Sequence, residues 1–321
     1  MNRIIRFLKE WTLPVLMITG ALIYIIGVKI PVEQDIKTGF IKFVEWLQPI
    51  MLFCMLFVAF CKVKPSDLRP HKWHVWLLLI QCGIFSLLTL ALWLFPETNL
   101  RLVIEGGMLA IICPTATACA VVTQKLGGDS AVTTAYTIII NIAVAILAPL
   151  LLPIAHPQQD MSFLPAFITI INKVFPLLII PLLLAWIARY FLPRLHKAIL
   201  ATKDLAFYMW AISLAFAITV TVRALAHSNE SMIHVGGIAV ATMIACIFQF
   251  AIGKRIGSHY GMRLEGGQAL GQKNTIFIIW LGYTFLSPIT AVAGGFYSIW
   301  HNVINSWQLY EHRKENATKK G

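Results

Sequence analysis

The stretch EGGQALGQKNTIFIIW, residues 265–280, reads as a membrane-spanning helix that carries a lysine in its interior. A second stretch, RLVIEGGMLAIICPTATACA at residues 101–120, has the same plan. Each places Glu-Gly-Gly near the start of an apolar run and a polar, helix-interrupting cluster about nine residues later. The two patterns predict a pair of broken membrane helices, interrupted by Pro114, Thr115 and Thr117 in one and by Gln272, Lys273 and Asn274 in the other.

The composition of the whole chain agrees with a membrane protein. Of its 321 residues 58% are hydrophobic and 12% charged, and the mean hydropathy is +0.76, which excludes an ordinary soluble domain. A bilayer core about 30 Å thick needs about 20 apolar residues per helix. Ten such runs are present, at residues 13–30, 40–61, 73–95, 102–123, 131–153, 167–192, 205–222, 232–252, 267–285 and 289–309. We therefore predict an all-α polytopic membrane protein with no soluble catalytic domain.

The distribution of charge predicts its orientation. Basic residues precede the first span, follow every even-numbered span and end the chain, as in Arg6, Lys72, Lys125, Arg194, Lys254 and Lys320. The positive-inside rule then places both termini in the cytoplasm, for a protein of the cytoplasmic membrane. The same rule accounts for the net charge of +12, so we expect the lipid bilayer and no nucleic acid or obligate protein as partner. All six cysteines lie within spans or at the end of one, which favours neither disulfides nor a metal cofactor.

Ten spans divide into two halves of five, residues 1–155 and 156–321. An odd number of spans per half turns the second half upside down, so that spans four and nine become symmetry mates that can meet near the midplane. Pro114 lacks a backbone N–H, and the polar cluster around it lets span four expose backbone groups to a cavity. The alternative is that Pro114 only kinks a packed helix.

Several phrases resemble one family. SPITAVAGGFYSIWHNVINSW, residues 287–307, is similar to the final helix of the bile acid:sodium symporter family. CPTATACAVVT at 113–123, LGQKNT at 270–275 and IQCGIF at 80–85, which contains Gln81, resemble its fourth, ninth and third helices. The chain is identified as a member of that family, a bacterial homologue with degenerate sodium sites.

The resemblance implies a fold and an activity. The fold has two inverted five-helix repeats, arranged as a panel domain of helices one, two, six and seven and a core domain of helices three to five and eight to ten. Broken helices four and nine cross in the core. An organic anion binds at the crossing and in the crevice between the domains, and two sodium ions behind the crossing drive its uptake.

The sodium ligands that the resemblance implies are only partly kept. Gln81, Thr117, Thr133 and Thr137 retain polar groups, whereas Cys119 replaces a serine. In the ninth helix the shared carboxylate is lost, because Ala269 or Gln268 stands at its position, and Lys273 is gained in the register that aligns Gly271 and Asn274. A residual sodium site at Thr117, Thr133 and Thr137 stays open as an alternative.

We therefore hypothesise that the ammonium of Lys273 replaces a bound cation and donates to Gln81, Thr117, Thr133 or free carbonyls. A fixed charge would allow sodium-independent transport. Because burial disfavours the charged form of lysine, a titrating one would allow proton coupling. A lysine that faces the crevice would pair with the anionic substrate. A lysine whose side chain extends to the membrane interface would have none of these three roles. Glu105 and Glu265 are expected near helix ends, in contact with water.

The function predicted from these residues is secondary transport of an organic anion by alternating access, sodium-independent or proton-coupled. One alternative is a sodium-coupled symporter of bile-acid-like or small carboxylate substrates, and another is a ligand sensor without transport. No Gly-x-Ser-x-Gly with a partner histidine, no paired intramembrane aspartates and no HExxH occur, so we do not expect an enzyme.

Overall fold

The computed structural model describes residues 12–30, 34–68, 70–157, 161–202, 205–228 and 230–318. Within these residues it is helical and contains no strand, apart from a single bridge discussed below. Its helices are α1 Thr12–Lys29, α2 Gln34–Cys61, α3 Lys72–Leu94, α4 Arg101–Ile112, α5 Cys119–Lys125, α6 Ser130–Ala155, α7 Phe163–Phe191, α8 Pro193–Ala201, α9 Leu205–Ala226, α10 Met232–Ser258, α11 Arg263–Gly271, α12 Thr275–Phe285 and α13 Val292–Thr318. A 3₁₀ turn, Pro65–Asp67, follows α2.

Six helices of the described part are long and apolar enough to cross a membrane, namely α2, α3, α6, α7, α9 and α10. Two shorter apolar segments, Ile18–Lys29 within α1 and Thr275–Phe285 as α12, lie at predicted spans one and nine. The chain is therefore a multi-pass membrane protein. The number of ten spans and the two-halved repeat stay predictions. So does the orientation, which rests in part on Arg6 and Lys320, outside the described residues.

The fourth and ninth predicted spans are each divided into two helices. The fourth consists of α4 and α5, separated by residues 113–118, and the ninth of α11 and α12, separated by residues 272–274. A helix of nine residues, such as α11, is about 14 Å long, so neither half of a divided span crosses a bilayer alone. The breaks fall at the two polar clusters of the sequence, because proline and unpaired polar groups end the helical hydrogen-bond ladder.

Two boundaries differ from the sequence prediction. The basic connection after the sixth span forms a separate helix, α8, which begins with a proline in its first turn. The last helix begins at Val292 rather than near Ile289, because Ser287 and Thr290 bond to each other and hold the preceding residues in a turn.

Glycines permit an unusually close contact between α10 and α11. A Cβ on Gly253 would overlap the carbonyl oxygen of Gly266, and one on Gly257 would overlap that of Met262. Gly253 and Gly257 are four residues apart, so both lie on the face of α10 that α11 approaches. Small residues at this spacing let the backbones of two membrane helices touch.

Gly253→Ala is expected to lower the stability of the protein by about 1–3 kcal/mol, because the added methyl group meets backbone rather than a movable side chain. The matched control is Gly236→Ala on the same helix, where no atom lies within 4 Å of the new Cβ. That control should be neutral or slightly stabilising, since alanine favours helix. The thermal unfolding midpoint in detergent measures both. Equal midpoints for the two variants would contradict this account of the helix contact.

Candidate functional site

The two helix breaks meet and pair with each other. Thr115 and Lys273 form an isolated antiparallel bridge, in which the Ala116 N–H donates to Gln272 O at 2.8 Å and the Asn274 N–H donates to Pro114 O at 2.9 Å. In a membrane interior each free backbone group needs an internal partner. The crossing therefore provides hydrogen-bond partners for some of the backbone groups that the two breaks leave unpaired.

Side chains satisfy further carbonyls at the end of α4. The Gln81 amide of α3 donates to Ile112 O at 3.1 Å and Cys113 O at 3.0 Å, and its own oxygen accepts from the Tyr136 hydroxyl at 3.0 Å. Gln81 is buried and fully engaged. Gln81 therefore caps the end of the broken helix, and its role as a ligand stays a prediction.

The end of α11 is capped in the same way. The Thr115 hydroxyl donates to Ala269 O at 2.6 Å, and the Tyr297 hydroxyl of α13 donates to Gly271 O at 2.8 Å. The Asn274 side chain accepts from Phe277 N at 3.3 Å and so caps α12. Pro114, Thr115 and Asn274 thus belong to the crossing, as the sequence predicted, through backbone and capping contacts.

The Lys273 side chain is completely buried at the crossing. Its Nζ makes no hydrogen bond with any described residue, so the expected bonds to Gln81, Thr117, Thr133 or free carbonyls are wrong. The carbonyls of Ile112, Cys113, Ala269 and Gly271 accept from other side chains instead. The ionisable side chains close to it are the thiols of Cys82, Cys113, Cys119 and Cys246. The idea of a lysine snorkelling to an interface is also wrong, since the side chain is inaccessible to solvent.

Gln272 adds a second polar atom without a partner. Its side chain is buried, and its Oε1 accepts no hydrogen bond from the described residues. A buried donor on Lys273 and a buried acceptor on the adjacent residue are costly unless a water, a proton or an ion serves them. The crossing therefore has the polarity of a binding site.

The residues of the residual sodium site are less closely grouped. Thr133 and Thr137 donate within α6, to Ser130 O and Thr133 O, each at 3.0 Å. Cys119 at the start of α5 is close to Thr133, and its thiol lies 4.0 Å from the Thr123 hydroxyl. Thr117 is half-buried in the turn before α5, and no hydrogen bond among the described residues joins it to the threonines of α6.

The expectation that Glu105 and Glu265 are solvated is wrong, because both are buried. Glu105 accepts from Arg101 at 3.2 Å and Thr290 at 3.2 Å, and its other contact is His156 Nδ1 at 2.8 Å. Glu265 accepts from the backbone N–H of Asp129 at 2.8 Å. Asp129 and His156 flank α6 at its N-terminal and C-terminal ends. The glutamates of the two Glu-Gly-Gly motifs therefore contact opposite ends of this helix.

A cavity of about 670 Å³ lies between α2, α7 and α12, the helix that follows the break in the ninth span. Its walls include Pro49, Phe53 and Trp280, and its polar groups are Lys173, Gln48, Glu45 and Tyr283. Lys173 is exposed to the cavity, and its Nζ lies 5.6 Å from the centre of the Phe285 ring. No described carboxylate lies within 4 Å of it, so its charge is available to a ligand.

Two of the polar groups in this cavity were missed by sequence reasoning. The Gln48 Nε2 is buried without a hydrogen-bond partner, and Glu45 accepts from the Tyr283 hydroxyl at 2.6 Å. Arg223 of α9 lies 3.8 Å from the same carboxylate oxygen. A carboxylate and an amide inside a membrane run next to Pro49 were a signal in the sequence that could have identified both.

Crossed, broken helices beside a polar cavity in a multi-pass protein are typical of secondary transporters. The model of the sodium bile acid symporter family matches residues 49–254, and the chain belongs to that family. Members of this family are membrane transporters of organic anions, not enzymes. No curated protein matches the chain. The match ends before α11, so Lys273 lies beyond it.

Proposed function

We propose that this protein is a secondary transporter of an organic anion, working by alternating access in the cytoplasmic membrane with both termini in the cytoplasm. The proposal includes ten spans in two inverted halves, with panel and core domains. The paired breaks support the inverted arrangement, since a pair of matched interruptions meets in one antiparallel bridge. The glutamates of the two matched motifs support it too, because they hold opposite ends of the same helix.

The observation that carries the coupling proposal is the isolation of Lys273. A cation buried at the crossing repels a second cation nearby, which disfavours sodium there. No hydrogen bond with a described residue holds the amine in its charged form, and burial disfavours that form, so a proton could leave and return during the cycle. We therefore propose transport that is sodium-independent or proton-coupled, with Lys273 replacing a bound cation. The hydroxyls of Thr133 and Thr137 keep a sodium-coupled mechanism as the competing case.

The cavity supports an anionic substrate with an apolar body. Lys173 and the unpartnered amide of Gln48 are two donors for a carboxylate or sulfonate, and proline and aromatic walls suit the rest of the molecule. Because α2 and α7 belong to the proposed panel and α12 to the core, the cavity lies between the parts that move against each other. At such a position, an alternating-access transporter can open its substrate site to one side of the membrane at a time.

The proposal is tested by measuring the uptake of bile acids and small carboxylates into liposomes that contain the purified protein. Lys173→Gln is expected to raise the KM about tenfold, the effect of losing one charge-assisted hydrogen bond of about 1.5 kcal/mol. Lys197→Gln on α8, an exposed lysine outside the cavity, is the matched control and should leave KM unchanged. Saturable binding without any flux would favour a ligand sensor. An unchanged KM for Lys173→Gln would remove Lys173 from the substrate site.

A further inference from the structure

A second cavity, of about 740 Å³, lies on a different part of the molecule from the substrate cavity. It is lined by α10, α11 and α13, whereas the substrate cavity is lined by α2, α7 and α12. Its polar lining includes Lys254, Arg255 and Arg263. Its apolar lining includes Phe250 and Trp307. The transport mechanism uses none of these residues.

The three cations have no acidic partner in the part of the chain that the structure describes. Among the described residues, no carboxylate lies within 4 Å of Lys254, Arg255 or Arg263. Lys254 and Arg263 are close enough for their charges to repel each other. An anion in the cavity would relieve this repulsion, and the arginines could hold a phosphate oxygen pair in a forked geometry.

Lys254 is held in place rather than free to move away. Its aliphatic stem crosses Gly267 of α11, where a Cβ would approach the lysine Cγ to 2.6 Å. Its Nζ lies 5.9 Å from the centre of the Trp307 ring on α13. Gly267 and Trp307 therefore contact the Lys254 side chain from two sides and hold it in the lining of the cavity.

The location of the cavity narrows the type of anion. It lies at the C-terminal end of α10, a helix long and apolar enough to cross a membrane, so we expect its charged rim at the level of the lipid headgroups. Trp307 is 59% exposed and Ile247 is 54% exposed, which gives the cavity an apolar side open to acyl chains. Basic pockets between membrane helices, with an aromatic residue at the interface, suit the phosphate of an anionic phospholipid.

We propose that this cavity, which we call the basic interfacial cavity, binds an anionic phospholipid. Its phosphate contacts Lys254, Arg255 and Arg263, and its acyl chains follow the apolar side formed by Ile247 and Trp307. The lipid would join α10, α11 and α13, and so brace α11, the half of the broken helix that precedes the break at Lys273.

The test compares phosphatidylglycerol with phosphatidylcholine of the same acyl chains, by native mass spectrometry and equilibrium binding to the purified protein. Phosphatidylglycerol is expected to bind at least about tenfold more tightly. Lys254→Gln with Arg263→Gln should weaken the binding of phosphatidylglycerol by roughly 25-fold, since each cation near the headgroup contributes about fivefold. Arg194→Gln with Lys197→Gln on α8 removes the same charge outside the cavity and should have little effect.

Three results would overturn the proposal. One is equal binding of the two lipids by the wild-type protein, and another is an equal loss in both double variants, which indicates attraction to general surface charge. The third is competition by free glycerol phosphate at the same concentration as the lipid, which would make a soluble phosphate the ligand. If the Lys254 variant fails to fold, Arg255→Gln with Arg263→Gln replaces it, because both side chains are exposed.

Discussion

Lys273→Met is expected to abolish coupled uptake and, at the same time, to make the protein more stable. A lysine at the centre of a membrane helix costs about 2.5–3.5 kcal/mol, and here no described residue offsets that cost through a hydrogen bond. Methionine fills a similar volume without a charge, so the free energy of unfolding should rise by about 2–3 kcal/mol. Uptake should fall by at least about tenfold, since a residue kept at such a cost is kept for function.

The measurements are the unfolding midpoint and the initial rate of uptake, with and without a proton gradient. Lys125→Met is the control, because Lys125 is exposed on the other broken span and should change stability by no more than about 0.5 kcal/mol. A loss of stability in Lys273→Met would mean that the folded protein provides stabilising partners for the amine. Normal uptake in that variant would refute its role in coupling.

Sodium binding provides an independent check on the same residue. A ligand that binds only the folded protein raises its unfolding midpoint once its concentration exceeds the dissociation constant. Wild type should show no difference between sodium and potassium at constant ionic strength. Lys273→Gln should not restore one, because Ala269 or Gln268 stands where the family resemblance implies a carboxylate ligand. A saturable sodium shift in wild type would favour a surviving site at Thr117, Thr133 and Thr137.

Glu105→Ala is expected to cause the largest loss of stability of any single change outside the crossing. The carboxylate is fully buried and serves Arg101, His156 and Thr290, which belong to three different parts of the chain. Removing one partner of a buried ionic cluster typically costs about 3–5 kcal/mol. Arg101 and His156 are each 27% exposed, so water can partly replace the carboxylate and we expect about 3 kcal/mol.

Chemical unfolding of the protein in mixed micelles measures this effect. Glu97→Ala is the matched control, since Glu97 is exposed in the connection just before α4 and should be close to neutral. Glu105→Gln keeps an acceptor for Thr290 and should fall between the two. A Glu105→Ala variant as stable as the Glu97→Ala variant would mean that the buried cluster contributes nothing to folding.

The positions of the helix breaks could be predicted from the sequence, because their cause is local. Pro114 removes a backbone donor where it stands, and the polar run at Gln272–Asn274 interrupts an otherwise apolar segment. The apolar runs followed from composition in the same way. Likewise, the membrane class of the protein depended only on how much apolar sequence was present and how it was spaced.

The partners of the polar side chains could not be predicted in this way. Gln81 was interpreted as a ligand for an ion or for Lys273, whereas its nitrogen donates to Ile112 O and Cys113 O and its oxygen accepts from the Tyr136 hydroxyl. Glu105 was expected in water, yet His156 and Thr290 approach it from positions 51 and 185 residues away in the chain. Lys254, Arg255 and Arg263 line one cavity together with Trp307 only because α10, α11 and α13 meet there.

The sequence by itself determined the membrane-spanning class, the family and the two interruptions, since hydrophobic length and helix breaking are properties of neighbouring residues. Only the tertiary structure decided that the interruptions pair at Thr115 and Lys273. It also decided that the lysine amine is left without a partner there. The reason is physical: whether a buried polar group is satisfied depends on which distant segments surround it, and the carbonyls at the ends of α4 and α11 already accept from Gln81, Thr115 and Tyr297.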